Sequence, residues 1–236
     1  MPIPAAKEDL QRLTAKDRIY QVICDWIITG VLKPGEKILD TELAAHFNVS
    51  RTPVREAIQM LERQKLVCVI PSRGTVVTEM DVNDIEKAYL PLAEIQGLAA
   101  EIACQKLTAG DLAEMDQILT KFAVACKEND VDTAIALDNG FHKLILRAAD
   151  NEYISEFSET LILHIQRIKY HYFHYDPLRK TSLAQHRQIF EAFQEYDGML
   201  AHQRMREHWL FVMNRSLKDV YEAIVDPILE QEKGAL

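Results

Sequence analysis

Cysteine is scarce in this sequence, and its few copies are far apart. The 236 residues include 4 cysteines, and none of them forms a C-x-x-C pair: Cys24, Cys68, Cys104 and Cys126. This spacing excludes a dense disulfide framework. We expect all four to be buried as small apolar side chains in a protein of the reducing cytoplasm.

Long apolar runs are missing as well. No stretch approaches the roughly 20 apolar residues that span a membrane, and residues 1–9 (MPIPAAKED) carry acids where a signal peptide needs an apolar core. There is no internal repeat and no low-complexity tract. We therefore expect a cytoplasmic protein with no membrane partner, long enough for two modest domains that each have a core.

Positive charge is in deficit overall, but the deficit is unevenly distributed. The net charge is −9, yet residues 1–78 hold 11 basic and 9 acidic residues, against 16 basic and 27 acidic residues in the remainder. The excess acid therefore belongs to the second part of the chain. A mildly basic head on an acidic body tends to turn its head toward a polyanion.

The segment 48–57 (NVSRTPVREA) has the pattern of a turn that runs into a helix. Ser50 or Thr52 can cap the helix, and a cap at Thr52 would place Pro53 at the first helical position. Beyond the cap, apolar residues recur at helical spacing and predict one buried stripe: Val54, Ala57, Ile58 and Leu61.

The opposite face of this helix is polar and partly cationic, with Arg51, Thr52, Arg55 and Gln59. Arginine binds phosphate or a guanine edge, glutamine pairs with adenine, and the hydroxyl of Ser50 or Thr52 can donate to phosphate. Taken alone, the pattern also fits an ordinary capped surface helix. The flanking segments favour a helix that enters the DNA major groove.

Those segments predict a winged helix-turn-helix over residues 1–78. Upstream lies a helix that ends at Gly30, with the apolar residues Ile19, Val22, Ile23, Trp26 and Ile27. A second short helix follows, capped by Asp40 or Thr41. Downstream, the β-rich runs 67–70 and 75–77 are joined by 71–74 (PSRG) as a hairpin. Arg73 and Gly74 at its tip are placed to contact the DNA backbone or minor groove.

With these motifs, residues 18–78 resemble the DNA-binding domain of the GntR family of bacterial transcription regulators. The resemblance is carried by 32–35 (LKPG), Leu43-Ala44, 49–57 (VSRTPVREA) and Arg73-Gly74. It implies DNA contacts at Thr41, Ser50, Arg51, Thr52, Arg55 and Gly74. Thr41 departs from the basic residue often found at its position.

From about residue 81 onward, apolar residues return every three or four positions, which predicts an all-helical domain over residues 79–236. The predicted helices are 82–106, 109–128, 131–149, 151–172, 177–196, 198–214 and a last one that ends near 229. Their short links favour an antiparallel bundle. The fold class is therefore mainly α: an N-terminal winged helix-turn-helix and a C-terminal antiparallel helical bundle.

The bundle contains residues suited to binding a metal. Asp138 and His142 are four residues apart and share one helix face. His186 and His208 lie beside apolar stripes on later helices, so three imidazoles and a carboxylate can converge. Such a set suits a divalent ion, Zn²⁺ or Ni²⁺. The alternative is four separate polar residues, each hydrogen-bonded at a helix surface.

This pattern is similar to the effector domain of FadR-type GntR regulators, and the resemblance covers nearly the whole chain. It implies that the four residues hold a metal that helps to bind a small carboxylate. Relatives usually supply an arginine and, four residues later, a glutamate from the first helix of this domain. Leu92 and Gln96 stand there in this sequence, so one common carboxylate clamp is absent.

Three residues are candidates for binding the effector: Arg167, Gln96 and His164. Arg167 can replace the missing cation, although a helix-surface arginine is commoner, and His164 is equally typical of a satisfied core histidine. The cluster 171–175 (HYFHY) fits aromatic packing better than metal binding.

We expect a homodimeric transcription regulator, a repressor rather than an activator. It would bind a palindromic operator in double-stranded DNA and respond to an organic acid at the metal site. The alternative from another class is a hydrolase-like metalloenzyme with an appended winged helix, in which the four ligands activate water. No further carboxylate is placed as its general base. A winged helix that docks protein instead of DNA is a third interpretation.

Overall fold

The computed structural model describes residues 14–79, 82–173 and 176–233, with side chains described except at 82–84, 167–173, 176 and 216–233. The chain divides into two compact units, Met1–Glu79 and Met80–Leu236.

The first unit is a winged helix. It contains the helices α1 (Ala15–Ile28), α2 (Asp40–Phe47) and α3 (Arg51–Arg63), followed by the strands β1 (Val67–Ile70) and β2 (Gly74–Val77). The strands pair antiparallel, with Val67 opposite Val77 and Ile70 opposite Gly74. The core is apolar and fully enclosed, with Ile23, Val54, Ala57, Leu61 and Val77 at 0 % exposure. The predicted architecture is confirmed.

The predicted caps of α2 and α3 are only partly confirmed. Ser50 occupies the N-cap of α3 without a side-chain cap hydrogen bond, so Pro53 is the third helical residue and not the first. Proline is tolerated there because the first-turn amides lack intrahelical partners anyway. Leu39 is the N-cap of α2, and Asp40 is its first residue. The Asp40 carboxylate instead accepts hydrogen bonds from side chains of α3.

The second unit is a bundle of helices, as predicted. They are α4 (Val82–Cys104), α5 (Ala109–Glu128), α6 (Val131–Ala149), α7 (Glu152–Phe173), α8 (Asp176–Gln194) and α9 (Gly198–Lys233). Local signals set several of the ends. Thr108 and Asp111 form a capping box at the start of α5, and Asn129 and Asp150 end α5 and α6 in the left-handed conformation.

The predicted break near residue 214 is wrong, because α9 is one continuous helix of 36 residues. The sequence predicts one helix that ends at residue 214 and a last one that ends near residue 229. However, no glycine or proline stands near Asn214 to interrupt the backbone hydrogen bonds. α4 is also continuous, although it contains a proline, Pro91.

α4 and α9 lie side by side over several turns. Arg206 Nε donates to Glu94 Oε1 at 2.5 Å, and His202 Nδ1 lies 2.9 Å from Glu101 Oε2. Between these pairs, a Cβ atom at Gly97 would lie only 2.9 Å from His202 Cδ2. Glycine therefore allows the close approach of α4 and the first turns of α9.

All four cysteines are free thiols, but one prediction about them is wrong. Cys24, Cys104 and Cys126 are buried, and burial raises the pKa of the Cys24 thiol to about 11. Cys68 is only half-buried, because β1 belongs to a two-stranded hairpin with one face toward solvent.

Within the described ranges, no helix is at once long enough and apolar enough to cross a bilayer.

Candidate functional site

Helix α3 divides cleanly into a buried and an exposed face. Its apolar stripe is enclosed, with Val54, Ala57 and Leu61 at 0 % exposure and Ile58 at 9 %. The polar residues around it are all exposed: Ser50, Arg51, Thr52, Arg55 and Gln59. The helix can therefore present its polar face to another molecule without disturbing the core.

The remaining candidates for DNA contact are exposed too. Thr41 lies on the first turn of α2, and Arg73 and Gly74 lie at the turn between β1 and β2. The turn uses two left-handed residues, Ser72 at φ 72° and Gly74 at φ 85°, and the amide of Arg73 donates to the carbonyl of Ile70 at 3.1 Å. Only Gly74 adopts this backbone conformation without a Cβ penalty.

The sequence analysis did not predict one feature of this surface, which is an acidic residue, Asp40, held between Arg51 and Arg55. Asp40 Oδ2 accepts from Arg55 Nε at 2.7 Å and from Arg51 Nη2 at 2.9 Å. These hydrogen bonds, from Arg55 first and then Arg51, lower the pKa of Asp40 below its ordinary value. Asp40 is 11 residues from Arg51 and 15 residues from Arg55 in the sequence, so no helical spacing could have revealed the contacts.

The bundle gathers Asp138, His142, His186 and His208 into one buried cluster. Each of the four is at most 2 % exposed, and one potential ligand atom from each lies within 4.8 Å of the others. Asp138 and His142 come from α6, His186 from α8 and His208 from α9. The alternative, in which each of the four is hydrogen-bonded separately at a helix surface, is therefore wrong, because the four side chains lie together in the core.

The distances inside this cluster suit a small metal ion. His142 Nε2 lies 3.2 Å from His186 Nε2, and the two nitrogens lie 4.0 and 3.5 Å from Asp138 oxygens, respectively. Ligands at about 2.0 to 2.1 Å around a tetrahedral ion are about 3.4 Å apart. Three neutral imidazoles and one carboxylate also form a donor set that divalent zinc or nickel accepts.

Two polar residues of α8 surround the cluster, and the sequence reading did not single them out. Ser182 Oγ donates to Asp138 Oδ1 at 3.1 Å, and Gln185 Oε1 lies 3.0 Å from His208 Nδ1. A hydrogen bond at Nδ1 leaves Nε2 as the ligand nitrogen of that imidazole. The sequence signal that could have identified these two residues is their position on the same helix as His186: Ser182 precedes it by four residues, and Gln185 is adjacent to it.

Two aromatic rings pack against imidazoles of the cluster. Phe141 stacks on His186 with ring centroids 4.4 Å apart, and the Trp209 ring lies 4.7 Å from that of His142. These contacts fix the ring planes, so that the imidazoles have little freedom to turn away.

The three effector candidates fall in different surroundings. Gln96 is fully buried, and neither its amide nitrogen nor its amide oxygen has a hydrogen-bond partner among the described residues. The same holds within those residues for Ser158 Oγ and Trp209 Nε1. His164 is half-buried on α7, whereas the side chain of Arg167 lies outside the described residues, as does the 171–175 cluster.

Two family models match this chain. Residues 15–77 match the bacterial regulatory proteins of the gntR family, and residues 91–211 match the FCD domain. The first match covers the winged helix, and the second includes Gln96 and all four residues of the buried cluster.

Relatives of known name agree with these matches. The HTH-type transcriptional repressor RspR of Escherichia coli is 28% identical over 81% of this chain and 84% of its own length. An HTH-type transcriptional regulator in an unstable DNA locus of Streptomyces ambofaciens is 30% identical, over 83% of this chain and 82% of its own. The gluconate operon transcriptional repressor of Bacillus subtilis is 30% identical over 54% of this chain and 52% of its own.

Solved structures share the fold. Escherichia coli McbR/YncC superposes with a TM-score of 0.74 at 20% identity, covering 90% of this chain and 99% of that one. A GntR regulator from a Rhodococcus species gives a TM-score of 0.71 at 20% identity, covering 86% and 97%. With a gntR winged helix followed by an FCD domain, this chain belongs to the GntR family of bacterial transcription regulators.

Proposed function

We propose that this protein is a cytoplasmic, homodimeric repressor whose binding to a palindromic DNA operator is modulated by an organic acid at a metal centre. The observation that carries the proposal is the exposed polar face of α3 above a fully buried apolar stripe. We prefer this to the hydrolase-like alternative because the relatives are named as transcription regulators.

In this proposal the winged helix of residues 1–78 binds the duplex. α3 enters the major groove, and the hairpin tip follows the backbone or minor groove. Arginine and glutamine side chains contact bases or phosphates, and the hydroxyls and the glycine backbone contact phosphates. The proposed contact residues are Thr41, Ser50, Arg51, Thr52, Arg55, Gln59, Arg73 and Gly74.

The proposed operator symmetry follows from the size of α3. Its 13 residues span about 20 Å at about 1.5 Å per residue, so a single copy reads only a few base pairs. Two copies related by a two-fold axis read two half-sites and multiply the affinity. We assign dimer formation to the helical domain of residues 79–236.

Selection of duplexes from a random pool tests the DNA-binding part. The full chain is expected to enrich an inverted repeat. The centres of its two half-sites should be about 10 base pairs or a multiple apart, because two-fold related helices meet the major groove once per helical turn. The affinity of the enriched duplex is then compared with that of a scrambled duplex of equal length. Equal affinities at about 0.15 M salt would rule out operator recognition.

We further propose that Asp138, His142, His186 and His208 bind a divalent metal ion, Zn²⁺ or Ni²⁺. Their burial, convergence and donor types support this assignment. When bound, the ion would supply a positive charge that a ligand carboxylate can coordinate. The protein contributes the buried rings of Phe141 and Trp209, which pack against two of the imidazoles and would limit the access of competing water.

The effector proposal rests on the two buried polar atoms of the Gln96 amide, which have no hydrogen-bond partner among the described residues. An unsatisfied buried donor or acceptor costs about 1 to 3 kcal/mol, so a polar ligand that pairs with the Gln96 amide would relieve that cost. Because Leu92 removes the usual arginine clamp, the ion would carry the main attraction for the carboxylate, with Gln96, His164 and Arg167 as further contacts. The ligand then changes operator affinity only by binding one arrangement of the dimer better than another.

Gln185→Ala is expected to lower the affinity for Zn²⁺ by about 10- to 100-fold, since loss of a hydrogen bond that orients a ligand imidazole has effects of that order. The measurement is a competition titration against a chromophoric zinc chelator. Gln203→Ala is the matched control, because Gln203 is an exposed glutamine on α9 that donates to Glu207. An affinity in Gln185→Ala equal to that of the control variant would contradict an orienting role.

A further inference from the structure

Asp40 holds two of the three arginines of α3, Arg51 and Arg55, in unequal ways. Arg55 donates to it only through Nε, at 2.7 Å from Oδ2. Arg51 donates through Nε at 3.3 Å and through Nη2 to both carboxylate oxygens, at 3.1 and 2.9 Å. Within the described part of the chain, both terminal nitrogens of Arg55 therefore remain available for another acceptor, whereas Arg51 has one terminal nitrogen outside the carboxylate contact.

This inequality matters for reading a base. A guanine edge presents two acceptors, O6 and N7, and an arginine contacts both with two N–H groups at once. Arg55 keeps its pair of terminal nitrogens for such a contact. Arg51 keeps both N–H groups of its remaining terminal nitrogen, which can donate to a base edge or to a phosphate oxygen.

We propose that Asp40 is a positioning residue for operator recognition, which holds Arg55 for a two-pronged base contact and restrains Arg51 beside it for a further contact with the DNA. The inference rests on the proposed DNA-binding function.

Stabilisation of the fold does not account for this acid. The guanidinium side chains are 52% and 60% exposed, and exposed ion pairs contribute little to stability. A carboxylate beside a polyanion also weakens general attraction to DNA. What the contact does supply is order, because an arginine already restrained by Asp40 loses less conformational freedom when it binds a base.

The two effects of Asp40 predict opposite changes when its charge is removed. In Asp40→Asn, the affinity for a random duplex should rise, since one negative charge near the phosphates is gone. The operator affinity should fall relative to the random duplex, because Arg55 is no longer held for its base contact. We expect the ratio of operator to random-duplex affinity to decrease about tenfold, in the range of a lost bidentate base contact.

The experiment measures both affinities by fluorescence anisotropy, for the full chain and at several salt concentrations. Glu42→Gln is the matched control, because Glu42 is also acidic, exposed and in the first turn of α2. It should show the rise in random-duplex affinity without the loss of the ratio. Asp40→Glu, which keeps the carboxylate, should recover most of the ratio, and thermal unfolding of each variant verifies the fold.

The outcomes separate this inference from the function on which it rests. A parent chain with no preference for the selected operator overturns the proposed function, and Asp40's role with it. A parent with a preference, and an Asp40→Asn ratio equal to that of the parent or of Glu42→Gln, overturns only the role of Asp40. A higher operator-to-random ratio in Asp40→Asn also overturns it, by showing that the acid competes with DNA for the arginines.

Discussion

The His142→Ala variant is expected to purify with less than about a tenth of the divalent metal that the parent chain carries. The expectation follows from the position of the side chain, whose Nε2 lies 3.2 Å from His186 Nε2 and 4.0 Å from Asp138 Oδ2 in a buried cluster. Alanine offers no ligand atom, and even residues that only orient a ligand change metal affinity by about 10- to 100-fold. Elemental analysis of the purified variant measures the effect.

A second histidine of the bundle provides the control for this prediction. His202 is half-buried on α9 and pairs with Glu101 at 2.9 Å, outside the buried cluster. His202→Ala should therefore retain the parent's metal content. If His142→Ala retains it as well, the four converging side chains are not the ligands of a metal.

The same two variants test whether the metal centre binds the effector. A ligand at 100 times its dissociation constant stabilises the folded state by about 2.7 kcal/mol, so a thermal-shift screen of small carboxylates should find compounds that stabilise the parent and His202→Ala. Those compounds should leave His142→Ala unchanged. Equal stabilisation of all three chains would place the effector away from the metal.

Arg55→Ala is expected to weaken operator binding by about 1 to 3 kcal/mol, which is roughly 5- to 150-fold, and to relax the preference at one base pair. The fold should be nearly unaffected, because the Arg55 side chain is 60% exposed and its ion pair with Asp40 contributes little. Anisotropy titrations against the operator and its single-base variants measure the loss, and thermal unfolding measures the stability.

Arg18→Ala removes the same charge from an exposed position on α1. Any general loss of attraction to DNA should therefore appear in both variants, whereas the change in base preference should appear only in Arg55→Ala. Operator affinity in Arg55→Ala equal to that in Arg18→Ala would contradict a base contact by Arg55.

The helix boundaries and buried faces that were predicted correctly depend on signals within a few neighbouring residues. α5 and α6 begin and end at the predicted residues, because Thr108, Asn129 and Asp150 carry their own capping or left-handed preferences. The buried stripe of α3 is also the predicted one, since its period belongs to the helix itself. Where the local signal was ambiguous, as at the cap of α2 or at residue 214, the predictions failed.

The contacts that organise the two sites were beyond such signals. Asp40 was assigned a capping role from its neighbours, yet its carboxylate binds arginines that are 11 and 15 residues away. Ser182 and Gln185 stand four residues before His186 and next to it, but their positions along α8 do not show which side chains face them from other helices. Only the packing of α6, α8 and α9 brings them to Asp138 and His208.

By itself, the sequence determined the order of the helices and strands, their buried faces and the residue types available for binding. These depend on periodicity, capping and turn chemistry within a few neighbouring residues. The tertiary structure alone decided which polar groups meet, at what distance and with which nitrogen or oxygen. Those contacts depend on how separate elements pack, and a shift of about one ångström between them is enough to make or break a hydrogen bond.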